Sequence, residues 1–352
     1  MMYHGILNIY KEKGYTSHDV VARLRGILRQ KRIGHTGTLD PDAEGVLPVC
    51  LGRGTRLSQI LMDKEKVYLV RMLLGKETDT QDTGGQVLAE APVSCTDEEV
   101  RDAILSFVGS YGQLPPMYSA IKKDGKKLYE LARKGKVVER EPRMVTIPEI
   151  RIFSMDLPHV EMSVRCSRGT YIRTLCHDIG KKLGCGACME DLVRTRSGRF
   201  GKETALRLDE VQELAKSGRI AGHIVSVDKV LGDYPCAGTD GAAGDKLLVN
   251  GCKIPADMLC EINDPLQSAG KKHRELQGVP DDLPGMSDLQ GITDSQATPD
   301  LPAPQDKRKT GDEQKPEGLW RVYTSRGEFA ALYRYDSEKE EYRNEIMFYT
   351  KE

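Results

Sequence analysis

Residues 261 to 318 contain seven prolines and no aromatic residue. A segment with many fixed φ angles and little large apolar surface adds nothing to a packed core. The chain must therefore fold on either side of it. The tract carries twelve acidic against seven basic residues and shows no sustained period of 2 or 3.6, which reads as a flexible insertion. After it, "LWRVYTSRGEFAALYRYD" returns to strand-like runs. Before it, "DKLLVNGCKIPADML" reads as a strand, a tight turn at Asn250–Gly251 and a short further element. The two pieces form one small domain interrupted by the insertion. The division is 1–230 and 231–352.

The 352 residues are 39% hydrophobic, enough for a real core, with no apolar run long enough to cross a membrane. The opening "MMYHGILNIYKEKGYTSHDVV" lacks the features of a secretory signal, so a cytoplasmic location is expected. Nine cysteines, an odd number, fit reduced thiols. The one CxxC pair, Cys185 and Cys188, has no second pair at ligand spacing, which favours buried thiols over zinc or redox chemistry. The net charge of -1 hides a local imbalance: Ile121 to Arg143 holds nine basic and four acidic residues. Such a run is commonly a solvated face; it also attracts phosphates.

Both structural periods occur in the larger domain. Ser17 is placed to cap a helix with Val20, Val21, Leu24, Ile27 and Leu28 on one stripe. Thr96 and Glu99 have capping-box spacing. "KVYLVRMLLG" and the alternating "VEMSVRC" read as strands, the latter turning through Ser167–Gly169 into a helix with Ile172, Leu175, Cys176 and Ile179 aligned. The expectation is an α+β fold: a mixed sheet with surrounding helices, without regular strand–helix alternation. "GRGTR" lacks the Lys-Ser/Thr ending of a phosphate loop.

The densest chemistry lies in "GHTGTLDPDAEG", from Gly34 to Gly45. Gly34 and Gly37 allow tight turns about His35, and Pro41 fixes the chain after Asp40. A carboxylate held in such a loop can act at a glycosidic bond as nucleophile or electrostatic partner. Asp40, Asp42 and Glu44 all qualify, and turn-forming acids that bond their own backbone remain the plainer reading.

The segment "GHTGTLDPDAEGVLPVCLGRGTR", residues 34 to 56, resembles the central motif of bacterial TruB-type tRNA pseudouridine synthases. Five further stretches resemble family segments in family order: "GILNIYKEKGYTSHDVV", "KVYLVRMLLGKETDTQDTGG", "LPPMYSAIKKDGKKLYELARKG", "CSRGTYIRTLCHDIG" and "LVRTRSGRF". The resemblance spans residues 4 to 230. It implies a pseudouridine-synthase-like core, an RNA-facing basic insertion at about 115–145 and a small β-rich, PUA-like RNA-binding domain at the C-terminus. It implies isomerisation of uridine 55 in the tRNA T-arm loop, with Asp40 as the catalytic aspartate. Tyr68 becomes the base-stacking tyrosine, and Arg173 the partner of Asp40 or of phosphate. His35, Asp82 and Tyr171 are implied on the substrate side, and Arg56 with Lys122, Lys123, Lys126 and Lys127 as phosphate contacts. The target base must be flipped from its stack. No metal or organic cofactor, no membrane and no guide RNA is implied, and a monomer is expected.

Other readings make different demands. A non-catalytic tRNA-folding module does not require Asp40. A glycoside hydrolase needs a second carboxylate, for which Asp79 or Asp82 is available. A related synthase acts on another uridine of tRNA or ribosomal RNA.

Overall fold

The computed structural model describes residues 2–123, 125–262, 264–266 and 317–350. They divide into two compact units, Met1–Val227 and Asp228–Glu352. The bulk of the 261–318 tract, and Asp124 of the basic run, lie outside the described residues.

The first unit is built on a mixed sheet whose main path runs Glu149–Asp156, His159–Cys166, Lys66–Leu74, Ala187–Ser197, Glu44–Leu51, Gly5–Lys11 and Ile224–Val225. Neighbours are antiparallel except at one seam. There Ala187–Ser197 meets Glu44–Leu51 in parallel over only two pairs, Val193 with Glu44 and Arg194 with Gly45. Gly45 has φ +107, and a Cβ on it would stand 2.1 Å from the Arg194 carbonyl oxygen. Glycine is thus required where the two halves close. The loop before Glu44, which carries Asp40, leaves the sheet at this seam.

The strand Gly5–Lys11 is buried at every residue, as expected of a central strand covered on both faces. Strand His159–Cys166 alternates, burying Val160, Met162, Val164 and Cys166, and the following helix Ile172–Leu183 packs Ile172, Leu175, Cys176 and Ile179 against the same core. Gly184, in the left-handed region at φ +77, ends that helix. A second core joins helix Ser17–Ile27 to the opposite end of the sheet through Val20, Val21 and Leu24. The capping box at Thr96 and Glu99 forms as the spacing predicts.

Two local expectations are corrected. Thr16, not Ser17, caps the first helix: its hydroxyl accepts the Asp19 N–H at 3.0 Å, and the Asp19 carboxylate accepts the Thr16 N–H at 2.8 Å. The Ser17 hydroxyl instead accepts the Leu39 N–H at 2.9 Å, beside Asp40. The segment read as a strand before Asn250 is a helix, Ala242–Val249. Only Leu247, Leu248 and Val249 form its apolar run, too short to separate the two periods. The turn there is real, with Gly251 at φ +69.

Among the described residues, the second unit is a six-stranded sheet with the helix Ala242–Val249 against it. Trp320, Tyr333 and Tyr342 fill its core, Trp320 meeting Tyr342 edge-on at 5.8 Å. Arg321, fully buried, forks onto Asp264 at 2.8 and 3.1 Å. Among the described residues no helix is long and apolar enough to cross a membrane.

Candidate active site

A cleft in the first unit opens over the seam and is walled by the Thr36–Ala43 loop, the strand bearing Tyr68, the Thr80–Gly84 loop and the start of helix Ile172–Leu183. Arg173 forms its floor. The guanidinium Nε lies 3.0 Å from Asp40 Oδ2, and Nη2 donates to Asp40 Oδ1 at 3.3 Å. Two further donors go to the carbonyls of Thr80 (2.9 Å) and Tyr118 (3.0 Å). The Arg173 side chain is 7% exposed and that of Asp40 is 41% exposed. A planar fork thus grips the carboxylate from inside the protein and leaves it facing the cleft.

Asp82 also faces Arg173, at 3.8 Å from Nε. Its other oxygen accepts from the Thr80 hydroxyl (2.6 Å) and the Gly84 N–H (3.1 Å). Asp79 is turned to its own loop and to Tyr118, accepting from Gln86 N–H at 2.7 Å and the Tyr118 hydroxyl at 3.1 Å. Glu44 accepts from Tyr10 at 2.8 Å. Of the three acids left open by the loop sequence, Asp40 alone is held by an arginine fork.

Tyr68 lines the cleft but is largely buried, and burial raises its hydroxyl above the ordinary tyrosine range, so it stays protonated. Arg194 is the cross-strand partner of Tyr68, and its charge offsets part of that rise. It also donates to the carbonyls of Val46 (2.7 Å) and Gly37 (3.2 Å), tying the strand of Tyr68 to the loop of Asp40. Tyr171 lines the cleft, half-buried. His35 sits just behind the wall that begins at Thr36, with Nδ1 accepting the Gly37 N–H at 3.3 Å. Burial, then the charge of Arg194, lowers its pKa and keeps the imidazole neutral.

The remaining basic residues are more dispersed. Lys122–Lys123 and Lys126–Lys127 form a small hairpin outside the cleft lining, Lys123 bonding the Glu139 carbonyl at 2.6 Å. Arg56 is exposed on the short helix Gly52–Leu57, also outside the lining. The basic insertion instead reaches the cleft with Tyr118, Tyr129, Arg133 and Arg143. Cys185 and Cys188 are both buried, and among the described residues no group of three metal-ligating side chains gathers.

Lys11 was not singled out by the sequence, yet it supports the Asp40 loop. Fully buried, its ammonium donates to the carbonyls of Ala43 (2.6 Å), Pro41 (3.0 Å) and Glu12 (3.2 Å). Burial lowers its pKa to about 8 against an ordinary 10.5, and the acids Asp40, Asp42 and Glu44 hold it from falling further. Between those values the unfolded chain binds more protons than the folded one. The stability contributed by Lys11 therefore rises with pH across that window and is level below it. Replacing it with Met leaves carbonyls unpaired, at a cost of about 1–3 kcal/mol each where burial is complete. In urea titrations the stability gap between wild type and Lys11→Met is expected to widen from pH 8 to pH 10; a constant or narrowing gap contradicts this role.

The architecture matches that of chains in two solved complexes. A chain in the solved structure "Crystal Structure of a Cbf5-Nop10-Gar1 Complex" superposes with a TM-score of 0.65 at 23% identity, over 98% of this chain and 85% of that one. A chain in "Structure of H/ACA RNP bound to a substrate RNA containing 2'-deoxyuridine" gives 0.64 at 22% identity, over 99% and 86%. Those likenesses establish the fold. Residues 25–172 match the "TruB family pseudouridylate synthase (N terminal domain)", and residues 173–231 the "tRNA pseudouridylate synthase B C-terminal domain". The tRNA pseudouridine synthase B of Alkaliphilus oremlandii is 47% identical over 270 residues, 75% of this chain and 87% of that protein. The namesake from Lachnoclostridium phytofermentans is 52% identical over 240 residues, 66% and 78% respectively. The chain belongs to the TruB family of pseudouridylate synthases.

Proposed function

We propose that this chain converts the T-arm loop uridine of tRNA, position 55, to pseudouridine. The observation that carries this reading is the Asp40 carboxylate, exposed to the cleft and gripped from below by Arg173. In the reaction the C1'–N1 bond breaks, the uracil turns, and a C1'–C5 bond forms. The C5 hydrogen leaves as a proton and N1 gains one, so no water is consumed. Asp40 acts at the sugar, as a nucleophile at C1' or as the base of a glycal route, and needs its carboxylate free of protons for either. Arg173 fixes the oxygens so that one approaches the ribose without rotamer search. Tyr68 supplies a flat wall for the flipped base and a neutral hydroxyl.

The carboxylates argue against hydrolysis of the same bond. A hydrolase needs a second acid poised over a water, and of the two acids the sequence offers for it, Asp79 is engaged by Gln86 and Tyr118 and Asp82 by loop donors and Arg173.

The basic insertion covers the RNA loop, with His35, Asp82 and Tyr171 on the substrate side and Arg56 and the lysine hairpin meeting phosphates. The C-terminal unit adds PUA-like RNA contacts. One copy acts without guide RNA or cofactor, in the cytoplasm. Changing Lys122, Lys123 and Lys126 together to Gln is expected to make the plot of log affinity against log salt shallower by roughly 2, with turnover at saturating tRNA unchanged. An unaltered salt slope removes the hairpin from the interface. The reading as a whole is tested by incubating the protein with unmodified tRNA transcript and mapping the product. Pseudouridine at the T-loop uridine alone is expected; free uracil, or product at other positions only, refutes it.

A further inference from the structure

The helix that carries Arg173 begins without the usual support. Its cap residue, Tyr171, makes no side-chain capping bond, although the first turn of a helix leaves N–H groups to be satisfied. The backbone of Tyr171 is held from outside. Its N–H donates to Gln113 Oε1 at 2.7 Å, and its carbonyl accepts from Gln113 Nε2 at 3.0 Å. The Gln113 side chain is buried, and Nε2 also donates to the Tyr111 hydroxyl. One amide therefore grips both polar groups of a single backbone residue, a pairing that fixes which end of the amide is oxygen.

The grip lies two residues from Arg173 and at the root of the basic insertion. Gln113 ends the strand Gly109–Gln113 and is paired with Arg143, so the insertion leaves the fold at one and returns at the other. The insertion touches the same arginine again through the Tyr118 carbonyl, 3.0 Å from Nη2. A fork contact is sensitive to small displacement. A shift of the helix start by a fraction of an ångström opens the 3.0 and 3.3 Å contacts to Asp40.

We infer that Gln113 is a positioning residue for the isomerisation: its amide sets the start of the Arg173 helix so that the guanidinium meets Asp40 in register. It does not touch the substrate. The inference rests on the proposed reaction, and the test separates the two.

Gln113→Met keeps length and bulk but cannot bond Tyr171. Single-turnover rates on tRNA are expected to fall about 10–100-fold, with tRNA affinity within about 2-fold of wild type. The decisive measurement is a double-mutant cycle with Arg173→Lys. Once the fork is gone, the helix register no longer matters, so Gln113→Met is expected to cost 2-fold or less in that background. If Gln113→Met does not fold, Gln113→Asn, which keeps the amide on a stem too short to reach both groups, replaces it in the cycle. Additive losses, or a lowered melting temperature with an unchanged rate, overturn the inference. Failure of the wild-type protein to form pseudouridine instead overturns the reaction on which it rests.

Discussion

Asp40→Asn is expected to lower the rate of pseudouridine formation by on the order of 10⁴-fold or more, with tRNA affinity changed by only a few fold. The substitution is nearly isosteric. The amide oxygen still accepts one hydrogen bond from Arg173, while the amide NH₂ then faces a donor at the other contact. The loop itself is held by groups that the change does not touch: the Ser17 hydroxyl on Leu39, Lys11 on the carbonyls of Pro41 and Ala43, and Arg194 on Gly37. What is lost is the nucleophilic or basic oxygen. Rapid-quench rates with nitrocellulose-filter binding on the same preparations check both halves. A variant that still turns over at a tenth of the wild-type rate places the chemistry on another group.

Arg173→Lys retains the charge and gives up the geometry. The guanidinium serves four oxygens at once: both of Asp40 and the carbonyls of Thr80 and Tyr118. An ammonium has three donors on one nitrogen and cannot span them in a plane. At least one of the four oxygens is left poorly paired, and Asp40 regains rotational freedom. The expected result is a rate lowered about 10²–10³-fold at saturating tRNA. Thermal stability is expected to fall as well, since breaking a buried charged network is costly. A normal rate in Arg173→Lys means that charge alone suffices and that the fork is incidental to turnover.

Much of this candidate site is legible in the sequence, because its polar groups sit in short motifs whose glycines and prolines mark tight loops. Asp40 precedes Pro41 in one such loop, and Arg173 follows the Ser167–Gly169 turn at the head of an amphipathic helix. The choice of Asp40 over Asp42 and Glu44 came from resemblance; in the structure Asp40 is the one of the three that meets Arg173. The supporting residues were harder to read. Lys11 ends an apolar run and looks like the first residue of a solvated "KEK" stretch; its burial comes from pairing with Gly45 and from the Pro41–Ala43 loop that takes up its ammonium. Arg194 lies two residues beyond buried Leu192 and six before Phe200 closes its short hairpin. Inward alternation along that strand was the available signal, hidden by charged residues on both faces. Gln113 carries no mark in sequence, since its partner is a backbone unit 58 residues away. The exchange of roles between Thr16 and Ser17 has the same origin: both are good caps, and the loop before Asp40 decided which one was free to cap.

The most direct measurement is tritium release from tRNA labelled at uridine C5, followed under single-turnover conditions for wild type and Asp40→Asn, with the product position mapped in parallel. The account predicts one equivalent of tritium per tRNA from wild type, a single pseudouridine in the T-loop, no free uracil, and no release from Asp40→Asn at tRNA concentrations where it binds. Tritium release by Asp40→Asn at a rate near wild type contradicts it, as does a wild-type protein that binds folded tRNA and releases none.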